Sequence, residues 1–233
     1  MITDFDFESG QMLMIDKPQT WSSFDVVKKL RYALKVKKIG HAGTLDPLAT
    51  GLLIICTGKF TKRIEEFMGQ DKEYEGIIEI GKTTPSYDLE TEFENEQDYK
   101  DITEEDIQAA VEKLSGEIKQ LPPIFSAIKV NGKRAYKSAR KNEEVGLKER
   151  NVRVDTFEIV KLDIPEVHFR IKCSKGTYIR SIAHDFGQLL GCGAYLKYLR
   201  RTAIGEYSVD QAMQLEELID QVVEHRKESD DNS

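Results

Sequence analysis

Residues 40 to 51, reading Gly-His-Ala-Gly-Thr-Leu-Asp-Pro-Leu-Ala-Thr-Gly, constrain this chain more than any other stretch. Gly40, Gly43 and Gly51 permit positive backbone angles and close approach of a ligand, and Pro47 stiffens the residue after the acid. Twelve residues without a Lys, Arg or Glu are unusual for a solvated turn. The apolar run Leu52 to Cys56 follows directly, and a helical pattern opening near Ser22 leads in. A helix, a rigid loop and a buried strand are therefore predicted in succession, with Asp46 held in the loop, a position suited to chemistry.

The flanking patterns fix the class. Met12 to Ile15 reads as a short strand ending at Lys17-Pro18. Ser22-Ser23-Phe24-Asp25 has the form of a capping box, and the helix it opens is expected to turn Phe24, Val27, Leu30 and Leu34 inward. Lys59 to Met68 has helical spacing, and Tyr74, Gly76, Ile78 and Ile80 share one face of a strand. Residues 83 to 101 are acidic and loop-like, and Thr103 caps a helix with Ile107, Val111 and Leu114 at core positions. Asn131-Gly132 signals a hairpin, and Arg134 to Lys141 is helical and basic.

Val152 to Leu162 and Val167 to Cys173 read as paired strands. Thr177 to Leu190 is an amphipathic helix stopped by Gly191, Ala194 to Leu199 is a strand, and a last helix runs from about Val209 to His225. Clustered strands with occasional helices predict an α+β chain built on a mixed, mostly antiparallel central sheet flanked by helices. One domain over residues 1 to 226 is expected, with a basic flap at about 124 to 152 and a disordered polar tail at 227 to 233.

The net charge of −7 hides strong segregation: residues 1–63 carry +4, 64–124 carry −13, 125–203 carry +9 and 204–233 carry −7. A positive face beside an acidic back suits a polyanionic partner. The acidic start lacks a signal-peptide pattern and the apolar runs are far too short to span a bilayer, so a cytoplasmic protein without a membrane partner is expected. Cys56, Cys173 and Cys192 are odd in number and widely spaced, which predicts reduced, packed thiols.

The Gly40–Gly51 stretch does not stand alone. Lys17-Pro18, Asp71-Lys72-Glu73-Tyr74, Leu121-Pro122-Pro123 with Ser126-Ala127, and Cys173-Ser174-Lys175-Gly176-Thr177-Tyr178-Ile179-Arg180 accompany it. In order and spacing this set resembles the motifs of the TruB family, bacterial synthases that isomerise uridine 55 of tRNA to pseudouridine, and it covers roughly residues 11 to 205. That reaction breaks the bond from the ribose anomeric carbon to a ring nitrogen, turns the base and rejoins it through carbon 5, so it needs neither a redox equivalent nor a phosphate donor. One ionised carboxylate suffices as nucleophile.

The resemblance implies that Asp46 is that nucleophile, that Arg180 keeps it charged and oriented, and that Tyr74 stacks on the uracil. It places Tyr178 and Leu199 in the pocket, His41 in the gap left by the extruded base, and Lys17 with Pro18 beneath the loop, Lys17 being counted with the substrate-binding residues. No cofactor and no metal are implied, and the partner is the T arm of tRNA, met by a monomer. Many members continue into a small RNA-binding barrel of the PUA type, which is expected to be absent here.

Three rival readings compete with this one. Gly76 to Thr83 satisfies the phosphate-loop pattern G-x-x-x-x-G-K-[ST], but its middle residues read as strand. Gly40-His41-Ala42-Gly43 fits the G-x-x-G clamp of non-catalytic RNA-binding modules, which with a tRNA-folding chaperone is the alternative function. A cysteine-dependent methyltransferase would need a reactive thiol, whereas Cys56 and Cys173 lie in apolar patterns.

Overall fold

The computed structural model describes residues 6–126, 129–130, 133–134 and 146–231. From the N terminus the elements are β1 (Met12–Lys17), a helix (Ser23–Leu34), β2 (Ile39–Ala42), β3 (Thr50–Thr57), a 3-10 turn (Gly58–Arg63) running into a helix (Ile64–Gly69), and β4 (Lys72–Ile80). Next come β5 (Lys82–Thr83) and β6 (Asn95–Glu96), which pair, a helix (Glu104–Lys113), β7 (Gly116–Gln120), and the paired β8 (Lys129–Val130) and β9 (Lys133–Arg134). The chain continues through β10 (Arg150–Asp163), β11 (Glu166–Cys173), a helix (Ile179–Leu190), β12 (Ala194–Ile204), β13 (Tyr207–Ser208), β14 (Met213–Gln214) and a last helix (Leu215–Asp231). Two compact units emerge: Met1–Glu73 with Arg200–Ser233, and Tyr74–Leu199.

In the first unit the strands run in the order β14-β1-β3-β12, with β2 also on β3. β3 is buried along nearly its whole length because both faces are covered. Leu53 and Ile55 pack with Leu30, Leu34, Leu218 and Val222 from two helices, whereas Leu52, Ile54 and Cys56 pack with Phe67 and Ile204. Each such fully buried aliphatic side chain contributes about 1.5 to 3 kcal/mol. Parallel pairing of Arg200 with Thr50 and of Arg201 with Gly51 joins β12 to the start of β3.

In the second unit the order is β12-β4-β11-β10-β7, with β11 and β7 antiparallel to β10. The expected alternation holds: Val167, Phe169, Ile171 and Cys173 are buried in β11, as are Tyr74, Gly76, Ile78 and Ile80 in β4. Phe157 of β10 meets the Phe169 ring at 6.1 Å and the Phe186 ring of the helix Ile179–Leu190 at 6.2 Å, closing the core. The mixed, mostly antiparallel sheet with flanking helices agrees with the class expected from sequence.

Several local expectations are corrected. Phe24 is 61% exposed, because the inward stripe of its helix runs through Ser23, Val26, Val27, Leu30 and Leu34. The stretch expected as one helix from Lys59 is a 3-10 turn followed by a short helix. The last helix starts at Leu215, because Met213 and Gln214 pair with Ile15 and Asp16 as a strand, and it continues through Asp231 across most of the tail expected to be disordered. β12 outruns its expected end at Leu199 through its pairings with β3 and β13. Of the helix expected from Arg134 to Lys141 only Arg134, in β9, is described, and most of the basic flap lies outside the described residues. Among the described residues no helix is long and apolar enough to cross a membrane.

Candidate active site

The sequence-predicted site residues divide between the units: Lys17, His41 and Asp46 in the first, Tyr74, Tyr178, Arg180 and Leu199 in the second.

In the first unit Asp46 opens a tight turn closed by the Ala49 N–H donating to the Asp46 carbonyl at 3.1 Å, with Pro47 at the position its ring favours. The backbone on either side is pinned. Ser23 Oγ, at the buried start of its helix, accepts from the Leu45 N–H at 2.8 Å and donates to the Leu45 carbonyl at 3.1 Å. On the other side the Thr20 N–H donates to the Pro47 carbonyl at 2.8 Å. Lys17 is 0% exposed and its Nζ donates to the carbonyls of Trp21 (2.6 Å), Pro18 (3.0 Å) and Pro47 (3.3 Å). All three ammonium protons therefore go to backbone, the geometry of loop support.

A second buried cation closes the loop. Arg201, 1% exposed, donates from Nε to the Leu52 carbonyl at 2.8 Å and from Nη2 to the Gly43 carbonyl at 3.2 Å, tying the two ends of the Asp46 loop together. Gly51 has φ +101°, and a side chain there would collide with the Arg201 backbone, so only glycine admits this close crossing. Burial pushes the Lys17 ammonium down to about 8, with the Asp46 carboxylate opposing that shift and the Arg201 guanidinium adding to it. Burial also lowers the His41 imidazole, opposed by a hydrogen bond to the Gly43 backbone and reinforced by Arg201, so His41 favours the neutral ring.

In the second unit Arg180 stands at the start of the helix Ile179–Leu190 and is 3% exposed. Its Nη1 donates to the Ser86 carbonyl at 3.2 Å, its Nη2 to the Phe125 carbonyl at 2.9 Å, and its Nε lies 3.5 Å from the Asp88 carboxylate. The loop supplying Ser86 and Asp88 is itself held, since Thr84 Oγ1 and Ser86 Oγ donate to the Asp88 carbonyl at 2.6 and 3.1 Å. The buried Gln120 side chain accepts from the Tyr178 N–H at 2.7 Å and donates to the Tyr178 carbonyl at 3.1 Å, which sets the helix entry. The Arg150 guanidinium lies 5.4 Å from the Tyr178 ring centre. Tyr74 and Leu199 are buried on β4 and β12.

Sequence reasoning missed Arg201, Asp88 and Gln120. A signal for Arg201 existed: continuing the β12 alternation past Leu199 puts residue 201 on the inward side. Asp88 lies in an aperiodic acidic stretch and carried no such signal.

The rival readings lose their structural context. Gly76 to Ile80 belong to β4 and Lys82-Thr83 to β5, so no helix follows the phosphate-loop pattern. Gly40 to Ala42 form β2, paired in register with β3, instead of a clamp loop. The three cysteines are buried and free, and burial raises the Cys56 thiol to about 11, against a thiolate nucleophile.

Comparison with known proteins converges on one family. Residues 31–179 match the TruB family pseudouridylate synthase N-terminal domain, and residues 180–233 match the tRNA pseudouridylate synthase B C-terminal domain. The tRNA pseudouridine synthase B of Flavobacterium johnsoniae is 52% identical over 221 residues, covering 92% of this chain and 96% of that protein. That of Parabacteroides distasonis is 52% identical over 221 residues, covering 92% and 94%. Among solved structures, a chain of a Cbf5-Nop10-Gar1 complex superposes with a TM-score of 0.70 at 28% identity, over 92% of this chain and 54% of that one, so this chain spans about half its length. With family models and relatives both matching across most of the sequence, and the fold agreeing, the chain belongs to the TruB family of pseudouridylate synthases.

Proposed function

We propose that the protein converts uridine 55 in the T arm of tRNA to pseudouridine, acting as a cytoplasmic monomer with Asp46 as its nucleophile. The observation that carries this reading is the pinning of the Asp46 turn by Ser23, Lys17 and Arg201 in a chain of this family. Such anchoring lets a carboxylate be aimed at a substrate atom without moving when it reacts.

The target base swings out of the tRNA at a cost of a few kcal/mol. His41, neutral and planar, is assigned to the gap it leaves, and Tyr74 to its face, where one stacked base is worth about 1 to 3 kcal/mol. The Asp46 carboxylate adds to the anomeric carbon or to ring carbon 6, and the bond from the anomeric carbon to N1 breaks. The base turns, carbon 5 bonds to the anomeric carbon, the carboxylate leaves, the carbon 5 proton passes to solvent and N1 regains a proton. Arg180 is assigned the orienting cation, its guanidinium prearranged by Ser86, Phe125 and Asp88, while Tyr178 and Leu199 line the pocket. The isomerisation is redox-neutral, with the Asp46 carboxylate as the nucleophile and the proton lost from carbon 5 balanced by the one gained at N1.

Tritium release tests the reading. A T-arm hairpin carrying carbon-5-tritiated uridine at the target position should release its label stoichiometrically, and intact label after prolonged incubation refutes the assignment.

A further inference from the structure

We propose that the outer face of the helix Ser23–Leu34, with the groove beside it, is a docking surface for an unpaired stretch of the substrate RNA, an inference that rests on tRNA being the substrate. Phe24, Lys28 and Tyr32 are four residues apart and so share one helix face. Phe24 is 61% and Tyr32 72% exposed, on a helix whose core contacts are met by other residues. Two large aromatic rings flanking a lysine in water form a ready stacking surface.

Beside this stripe lies a groove of about 410 Å³ lined by Thr20, Trp21, Asp25, Lys28, Lys29 and Tyr32. Its wall is joined to the Asp46 turn, since the Thr20 N–H donates to the Pro47 carbonyl at 2.8 Å and Lys17 Nζ holds the Trp21 carbonyl at 2.6 Å. RNA engaged at Asp46 therefore has neighbouring nucleotides within reach of the groove.

The charges fit a polyanion. Lys28 and Lys29 line the groove, and Lys35, Lys37 and Lys38 follow on the same segment. The acid that lines the groove, Asp25, is committed to the Ser22 N–H (3.0 Å) and hydroxyl (2.5 Å), and the pair that Lys29 makes with Glu216 of the last helix at 3.7 Å is exposed and weak. Aromatic faces take any base, while lysines take phosphates. A duplex keeps its base faces covered, so the occupant is single-stranded.

Trp21 is the only tryptophan and lines this groove, so its fluorescence responds to what binds there. Titration of the whole protein with a decauridylate should quench Trp21 saturably, and a blunt RNA duplex of equal length should do so far more weakly. Lys28→Glu combined with Tyr32→Ala should raise the half-saturation and the KM for tRNA about tenfold with kcat within about twofold, and Phe24→Ser alone should act in the same direction. Absent quenching, equal response to duplex, unchanged KM in these variants, or a concentration-dependent dimer that they abolish would each overturn the proposal. Tritium release without Trp21 quenching would sink this site alone, whereas quenching without tritium release would leave a single-stranded RNA site and sink the substrate assignment on which its role rests.

Discussion

Two cations buried beside one acidic turn are costly to desolvate, and they persist because their protons are spent on backbone carbonyls that would otherwise be orphaned. Arg201→Met should therefore destabilise the protein by about 2 to 4 kcal/mol, by stranding the Gly43 and Leu52 carbonyls. Arg201→Lys keeps the charge but not the fork and should recover only part of the loss. Urea midpoints check both, and an unaltered midpoint for Arg201→Met contradicts the clip. Asp185 tests burial differently. Desolvation raises its carboxyl to about 6, so its contribution to stability is full below about pH 4 and is lost as pH rises through about 6, a change of about 1 to 2 kcal/mol once solvent screening of this part-exposed group is counted. Asp185→Asn should accordingly be more stable than wild type at neutral pH, with the difference shrinking as the wild-type carboxyl protonates; a pH-independent difference contradicts this. At this scale legibility follows chain distance. Asp46 and Lys17 were readable because glycines and prolines mark their surroundings, whereas Arg201 reaches Leu52 across 149 positions and Asp88 meets Arg180 from a loop with no period.

Among the elements, β3 takes β1 and β2 on its two edges and meets β12 where Gly51 crosses Arg201. Gly51→Ala requires a positive φ and pushes a methyl group into the opposing backbone, so a loss of at least about 2 kcal/mol is expected in thermal or urea unfolding. A variant as stable as wild type would mean that β12 does not cross β3 so closely. Strands with one buried face announced themselves: β4 and β11 alternate because a two-residue period admits only one inward set, whereas β10 changes phase between Val154 and Phe157 at a register shift that its own pattern does not mark. The first helix forms where its pattern predicts but with Phe24 outward, since Phe24 and Val26 both fit a loose 3.6-residue stripe and only packing chooses between them. The last helix began late for a reason outside its own pattern, namely the pairing of β14 with β1.

For the whole molecule, a net charge of −7 is compatible with an RNA substrate only because the signs are segregated along the chain. Binding through lysine and arginine patches should then weaken at least about tenfold as monovalent salt rises from about 50 to 200 mM, and filter binding with tRNA measures it. A flat salt response would mean that phosphate contacts contribute little. The family was legible because its motifs are local and spread over most of the length, while the division into two compact units was not, since β4 and β12 each carry residues of both. The account turns on Asp46 being the attacking group in a turn whose shape does not depend on its charge. Single-turnover tritium release by Asp46→Asn, beside its affinity for the same T-arm RNA, tests this most directly. The prediction is a rate lowered by at least about 10⁴-fold with affinity retained; release within about tenfold of wild type would contradict it.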